Sequence, residues 1–260
     1  MRLFQRKRKT SLPSSPHKSH DLGQKFPDFP VANLRIIEEV TPFTMTSPER
    51  IAALCDAVDY LTRFNIRGDF VECGVWRGGS VLAAIRKLQQ QNQRQREIWL
   101  YDTFEGMTPP TSADVDFLGQ DALTLLSHTD RNDPASVWCC SQLEEVQSLL
   151  IGSGYPAEQI HFIQGAVERT IPQHLPEQIA LLRLDTDWYE STKHELIHLI
   201  PRMAPGGVLI IDDYGHWEGC RRAVDEYFEN FPVPVLLQRI DYTGRLAVIP
   251  NLAGKRTTDR

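Results

Sequence analysis

The strongest constraint on the fold is a recurring alternation of short, almost uninterrupted apolar runs with longer stretches patterned at helical spacing. The apolar runs are GDFVECGV (68–75), EIWLYD (97–102), QIHFIQG (159–165), IALLRLD (179–185), GVLIIDD (207–213), VLLQRI (235–240) and RLAVIP (245–250). Strands this continuously apolar are buried on both faces, as in a parallel sheet covered by helices on either side. Helical patterns fill most of the gaps, over 79–91, 141–153, 191–203 and 218–231. A further helix over 47–64 precedes the first strand, with Ser47 as its N-cap and Pro48 at the first helical position. The last two runs are joined only by Asp241-Tyr242-Thr243-Gly244, too short for a crossover, so a hairpin is expected there. The pattern predicts an α/β chain: a doubly wound, mostly parallel seven-stranded sheet with a C-terminal antiparallel hairpin.

Charge divides the chain. Residues 1–20 contain six Lys and Arg and no acid, whereas the remainder carries 22 basic residues against 34 acidic ones, a charge of −12. An acidic body argues against a nucleic-acid groove, which needs a basic surface. The basic head runs into LPSSPHKSH without the apolar region of a secretory signal, and is expected to be a disordered tail. Residues 21–66 read as a helical, wrapping segment and 67–260 as the main domain. Within it, 103–140 is too long for a simple connection and reads as a lid or insert. No apolar run is long enough for a membrane span. Cys55, Cys73, Cys139, Cys140 and Cys220 are odd in number and form no C-x-x-C pair, which fits reduced thiols and a cytoplasmic location.

In an open parallel sheet ligands collect at the carboxyl ends of the strands. The first strand ends in Glu72-Cys73-Gly74-Val75-Trp76-Arg77-Gly78-Gly79-Ser80. Gly74 permits a tight turn, and Gly78 and Gly79 let backbone N–H groups at a helix start approach a ligand; the turn can equally be structural. Asp102, ending the second strand, is placed to accept hydrogen bonds from ribose hydroxyls, or else to cap the loop after it. Together they point to a nucleoside-containing cofactor. The G-x-G-x-x-G pyrophosphate fingerprint is lacking, so S-adenosylmethionine fits better than NAD.

The fourth strand ends in Asp185-Thr186-Asp187 and the fifth in Asp212-Asp213. Four carboxylates gathered at neighbouring strand ends are costly unless a cation or shared protons neutralise them, and Mg²⁺ is the natural hard cation for oxygen ligands. Alternatively, alternate acids point outward as helix caps. A metal there would bind and orient an acceptor hydroxyl, while the remaining carboxylate took its proton.

At these residues the sequence resembles the macrocin O-methyltransferase (TylF/MycF-like) family. The resemblance is carried by Glu72-Cys-Gly-Val-Trp-Arg-Gly-Gly79, Asp102-Thr-Phe-Glu-Gly-Met107, Leu182-Arg-Leu-Asp-Thr-Asp-Trp-Tyr-Glu-Ser-Thr192 and Pro205-Gly-Gly-Val-Leu-Ile-Ile-Asp-Asp-Tyr-Gly215. It implies a class I methyltransferase, Rossmann-like fold and Mg²⁺-dependent methylation by S-adenosylmethionine, commonly of a sugar hydroxyl in a glycosylated natural product. It also implies a homo-oligomer with a mobile lid. Carried over, Asp185, Asp212 and Asp213 become the metal ligands and Asp187 the base. Glu72, Gly74 and Asp102 fall in the cofactor site, to which Ser80, Thr103 and Gln164 are assigned as well. Thr186 and Trp188 depart from the family pattern, where glycine and often methionine stand, and 108–140 matches no part of it.

Rival signals remain. His194-Glu195-Leu196-Ile197-His198 is a literal H-E-x-x-H zinc motif, but Pro201 closes its helix early and its place beside the sheet is away from the strand ends. Asp185-Thr186-Asp187 is also the D-x-D of metal-dependent glycosyltransferases, and the glycine loop could serve an NAD-dependent oxidoreductase. A glycosyltransferase does not need Asp212-Asp213, and a dehydrogenase needs no metal. A non-catalytic nucleotide- or metal-binding module is the remaining alternative. His216 and Trp217, just beyond the acids, face substrate or simply enter a helix.

Overall fold

The computed structural model describes residues 22–131, 136–171, 173–232 and 234–251, so the basic tail expected over 1–20 lies outside the described residues. Seven strands form one sheet: β1 (Asp69–Cys73), β2 (Ile98–Asp102), β3 (Ile160–Gln164), β4 (Ile179–Leu184), β5 (Met203–Ile211), β6 (Gln238–Arg239) and β7 (Arg245–Val248). Their order is β3-β2-β1-β4-β5-β7-β6. β1 to β5 pair in parallel, and β7 runs antiparallel to both β5 and β6. This is the α/β, mostly parallel arrangement that the apolar runs predict.

The helices are α1 (Val31–Val40), α2 (Pro48–Arg63), α3 (Gly79–Gln90), α4 (Ala122–His128), α5 (Leu143–Ile151), α6 (Val167–Thr170), α7 (Tyr189–Leu199) and α8 (Glu218–Glu229). Alternate strand residues point to opposite faces, and each face has its own core. On one side Phe70, Leu181, Val208 and Ile210 pack with Leu54, Val58 and Leu61 of α2 and Leu82, Ile85 and Leu88 of α3. On the other Val71, Leu182, Leu209 and Ile211 pack with Leu196 and Leu199 of α7 and Val224 of α8. All six residues of β4 are buried, as the middle of a doubly covered sheet requires.

Local chemistry sets the boundaries. Ser47 caps α2, its hydroxyl accepting from the Arg50 N–H at 3.2 Å. α7 begins two residues before the expected 191 because Asp114 accepts the Tyr189 N–H at 2.7 Å. It gives way to a 3₁₀ turn over Ile200–Arg202, since Pro201 has no N–H to continue the helix. The strand expected over 235–240 shrinks to Gln238–Arg239, paired on one side only, with Leu236 79% exposed before it. Residues 103–140 hold α4 and short bridges from Val115 to Asp121 and from Asp116 to Trp217.

Gly74 is where the fold leaves least freedom. It has φ +80°, and a Cβ added to it would stand 2.0 Å from the carbonyl oxygen of Asp185. The close approach lets the ends of β1 and β4 run side by side, with the Asp185 N–H donating to the Cys73 carbonyl at 2.8 Å. Gly74→Ala should cost about 3 kcal/mol or more, from left-handed strain together with overpacking. A denaturant midpoint near that of the wild type would show that the approach is less tight than this.

Candidate active site

A cavity of about 360 Å³ opens at the carboxyl ends of the strands. It is lined by Glu72 and Gly74 at the end of β1, Ser80 at the start of α3, Asp102 and Thr103 after β2, Asp185, Thr186 and Asp187 after β4, and Asp212 and Asp213 after β5. Nine of the ten residues expected at the site therefore face one space. Gln164 is the exception: it is exposed and its Nε2 reaches back to the Thr103 carbonyl at 3.4 Å, while the following Gly165 and Ala166 line the cavity instead. Gln164 is the last residue of β3, paired with Asp102, and its side chain falls on the exposed side of the strand end.

On the glycine-loop side, Asp102 does not wait for a ligand. Its Oδ2 accepts the N–H groups of Val75 at 2.6 Å and Trp76 at 3.0 Å, and its Oδ1 accepts that of Phe104 at 2.7 Å. The carboxylate clamps the turn after β1 to the turn after β2, so the capping reading accounts for both oxygens and leaves only spare lone pairs for a ribose. Thr103 shapes the same turn, donating to the Gly106 carbonyl at 2.6 Å and accepting from the Glu105 N–H at 3.1 Å. α3 starts at Gly79 after a left-handed Gly78, with no side chain capping its N–H groups. Those donors are available to a negatively charged ligand end.

The acidic side is organised by two arginines. Arg183, on β4 and 3% exposed, places Nη1 at 2.7 Å from both Glu72 Oε1 and Asp185 Oδ2 and Nη2 at 2.8 Å from Asp212 Oδ1. That last contact is an ion pair off the hydrogen-bond direction. Arg50 of α2 pairs closely with Asp212 Oδ2 through Nη1 and with Asp241 Oδ2 through Nε at 3.0 Å. Ser47 also donates to Asp241 at 2.7 Å, so the start of α2 is stapled to the turn between β6 and β7. Sequence reasoning missed Arg50 and the neighbouring lining residues Phe43, Thr44, Met45 and Thr46. The available signal was indirect: buried acids in this number need cations from somewhere.

The expected metal set was Asp185, Asp212 and Asp213, yet Asp185, Asp187 and Asp213 are the residues whose carboxylate oxygens come within 4.8 Å of one another. Asp212 is turned aside because both arginines hold it. The two guanidiniums pair with Glu72, Asp185, Asp212 and Asp241, and Asp187 and Asp213 are added to these acids without an arginine of their own. Burial, with neighbouring acids adding to it, pushes Glu72 up to about 8, Asp187 to about 7 and Asp212 to about 6. Asp185 is raised, and burial together with the charge of Asp187 raises Asp213 well above the usual range. Asp213 Oδ2 is buried with no hydrogen-bond partner. An all-carboxylate donor set with one orphaned oxygen and an excess of negative charge fits a hard divalent cation.

The H-E-x-x-H sequence falls elsewhere. Glu195 is fully buried against Thr186, whereas the His194 and His198 rings, 4.3 Å apart, lie half-buried on another face of α7. Among the described residues no third ligand converges on them, so zinc has no site there. Residues 108–116 are fastened down: Trp188 Nε1 donates to the Thr108 carbonyl at 2.9 Å, and Asp114 caps α7. Trp217 packs edge-on against Trp188 at 4.9 Å and lines the cavity with His216 and Tyr242.

Residues 32–247 match the family model described as macrocin O-methyltransferase (TylF). A Streptomyces olivaceus protein named 8-demethyl-8-(2,3-dimethoxy-alpha-L-rhamnosyl)-tetracenomycin-C 4'-O-methyltransferase is 35% identical over 77% of this chain and 73% of its own length. The Micromonospora griseorubida mycinamicin III 3''-O-methyltransferase is 34% identical over 77% and 76%. Among solved structures, the O-methyltransferase NovP is 29% identical with a TM-score of 0.69, covering 80% of this chain and 83% of its own. CalS11, a calicheamicin methyltransferase, shares the fold at 16% identity, with a TM-score of 0.57 over 91% and 94%.

The crowded acids make a prediction for the protein without ligands. Groups whose pKa is raised by folding contribute stability that is complete below about pH 4 and is lost as pH rises through their folded values, here about 6, 7 and 8. Tm should therefore fall between pH 5 and 8.5 by at least about 5 °C, each kcal/mol being worth about 2–4 °C at this size. Millimolar Mg²⁺ should remove most of the fall in calorimetric scans, and an equal slope with and without it would contradict this.

Proposed function

The chain belongs to the macrocin O-methyltransferase family, and on that premise we propose that it methylates a sugar hydroxyl of a glycosylated natural product, using S-adenosylmethionine with Mg²⁺ bound. One observation carries the reading: an uncapped helix start beside a glycine turn and a cation-hungry carboxylate cluster face the same cavity. The two named relatives methylate a 4'-oxygen of a rhamnosyl compound and a 3''-oxygen of mycinamicin III, which favours a sugar as acceptor. A glycosyltransferase or an NAD-dependent oxidoreductase leaves the second acid pair or the metal cluster without a task.

When bound, S-adenosylmethionine supplies an electrophilic methyl group and Mg²⁺ lowers the pKa of the acceptor hydroxyl. Everything else is done by the chain. Glu72, Gly74, Ser80 and Thr103 line the donor's end, with Asp102 keeping the two turns in register and Gln164 at the rim. Asp185 and Asp213 would hold the cation, and Asp212, which Arg50 and Arg183 now hold aside, would be the third ligand. Asp187, beside these residues in the cavity wall, receives the acceptor proton. Charge is lost as the methyl moves, so alignment of oxygen and methyl matters more than an anion hole. His216, Trp217 and Tyr242 offer an aromatic wall to the acceptor.

In this reading 67–260 is the methyltransferase domain and 103–140 its insert on the acceptor side. The wrapping segment expected over 21–66 supplies Phe43, Thr44, Met45, Thr46 and Arg50 to the cavity wall. The five free cysteines favour a reducing cytoplasm. No helix among the described residues is long and apolar enough to cross a membrane. A homo-oligomer is the expected assembly by family resemblance, and light scattering reads it directly.

Calorimetry with S-adenosylhomocysteine, NAD and UDP-sugars tests the donor. S-adenosylhomocysteine should bind and the others should not; tight NAD binding alone would sink the reading. With a glycosylated acceptor, metal chelation should lower turnover about a hundredfold or more, reversibly on adding Mg²⁺. Asp187→Asn should lower kcat by about 10²- to 10⁴-fold with Mg²⁺ and S-adenosylhomocysteine affinity kept, whereas Asp212→Asn should weaken Mg²⁺. The reverse pattern would exchange the two roles.

A further inference from the structure

The glutamate of the H-E-x-x-H sequence has no task once zinc is set aside. Glu195 is fully buried, on the side of α7 that faces Thr186 and the thiol of Cys73. The charges acting on it most strongly are those of Glu168 and Asp185, both acids, so a carboxylate here would be a buried charge without a counter-ion. Burial accordingly holds the carboxyl neutral, well above its ordinary range. Its Oε1 accepts a hydrogen bond from the Thr186 hydroxyl at 2.9 Å, and its Oε2 has no hydrogen-bond partner.

Thr186 is the residue between Asp185 and Asp187, and it is held at both ends. While its hydroxyl goes to Glu195, its carbonyl accepts the Trp188 N–H at 2.8 Å and the Ser191 hydroxyl at 3.3 Å. Asp187, next in the chain, has φ +68°. A non-glycine residue in the left-handed region persists only where its surroundings over-determine it.

We propose that Glu195 is a positioning residue for methyl transfer: its carboxyl anchors the Thr186 hydroxyl, and through it the turn that aims the Asp185 and Asp187 carboxylates into the cavity. This rests on the methyltransferase reading above. Losing the anchor frees the turn to relax toward ordinary backbone angles, which spreads the carboxylates and weakens both cation binding and proton acceptance. The glycine turn and the start of α3 are not attached to this bond, so the donor's end of the cavity is left alone. Glutamine offers an acceptor oxygen in the same place and is neutral, so it should serve as well as the protonated acid; leucine should not.

The test titrates the metal-free protein with Mg²⁺ and separately with S-adenosylhomocysteine by calorimetry, and measures kcat beside them. Glu195→Gln should keep Mg²⁺ affinity and kcat within about twofold of the wild type. Glu195→Leu and Thr186→Val should each lower both by about tenfold, the loss of one buried hydrogen bond, with S-adenosylhomocysteine affinity within about twofold. The double variant should lose no more than the worse single one, because both substitutions break the same bond. If Glu195→Leu does not fold, Thr186→Val carries the test, since that side chain borders the cavity. Wild-type Mg²⁺ affinity and kcat in Thr186→Val, losses that multiply in the double variant, or a Glu195→Gln protein as impaired as Glu195→Leu would each overturn the role of Glu195. A wild type that binds neither Mg²⁺ nor S-adenosylhomocysteine would overturn the methyltransferase reading and this proposal with it.

Discussion

The buried guanidinium of Arg183 is the interaction on which the rest of this site depends. It sits on the central strand β4 directly across from Glu72 of β1, and it reaches Asp185 of the following loop and Asp212 of the next strand's end. Three strands can finish in acids side by side only because one cation is shared among them. The same guanidinium donates to the Thr46 hydroxyl at 2.9 Å, which draws the segment before α2 over the cavity mouth. Yet Arg183 and Arg50 together do not balance the acids, and the excess of negative charge is what the proposed Mg²⁺ would take up. Full neutralisation by arginine would make a more comfortable fold and leave the proposed cation without a site.

Most of the architecture was legible because it is written locally. Each parallel strand announces itself by a run such as Ile179–Leu184, whose residues are all buried, and the glycine turn after β1 follows from a Gly74 that no other residue could replace without a clash. The positions of Asp185, Asp187, Asp212 and Asp213 at strand ends are a consequence of the same pattern. What local pattern could not say is which way each carboxyl turns. Asp212 faces Arg50 from 162 residues away, and nothing near either residue in sequence announces the other. Asp102 shows the complementary difficulty: it ends β2 and lines the cavity, but the neighbouring backbone N–H groups occupy its oxygens. The insert was legible only as too long, since its fastening through Asp114 and Thr108 uses residues unremarkable in sequence.

The H-E-x-x-H sequence shows how a motif can be literal in spelling and unrelated in space. Spacing of i and i+4 brings His194 and His198 together as the zinc reading requires, but the intervening glutamate is directed into the protein by the amphipathic face of α7. One turn of helix thus offers its histidines half to solvent and its acid to the loop beneath. Periodicity settles such cases better than the motif does, because it states which residues can share a face.

The staple between Ser47, Arg50 and Asp241 bears on how the enzyme could diversify. The turn that contains Asp241 also supplies Tyr242 and Thr243 to the cavity wall, so it is a natural place for selection to act when a new acceptor is to be accommodated. It is not a free place, however. Asp241 steadies the arginine that holds Asp212, and a side chain at Gly244 would press into the stem of that arginine, 2.8 Å from its Cδ. Lengthening or recharging this turn would be felt at the acidic cluster as a change in electrostatics as well as shape. Descendants of such a protein are therefore expected to explore acceptor range by exchanging Tyr242 and its aromatic neighbours while Asp241 and Gly244 stand still.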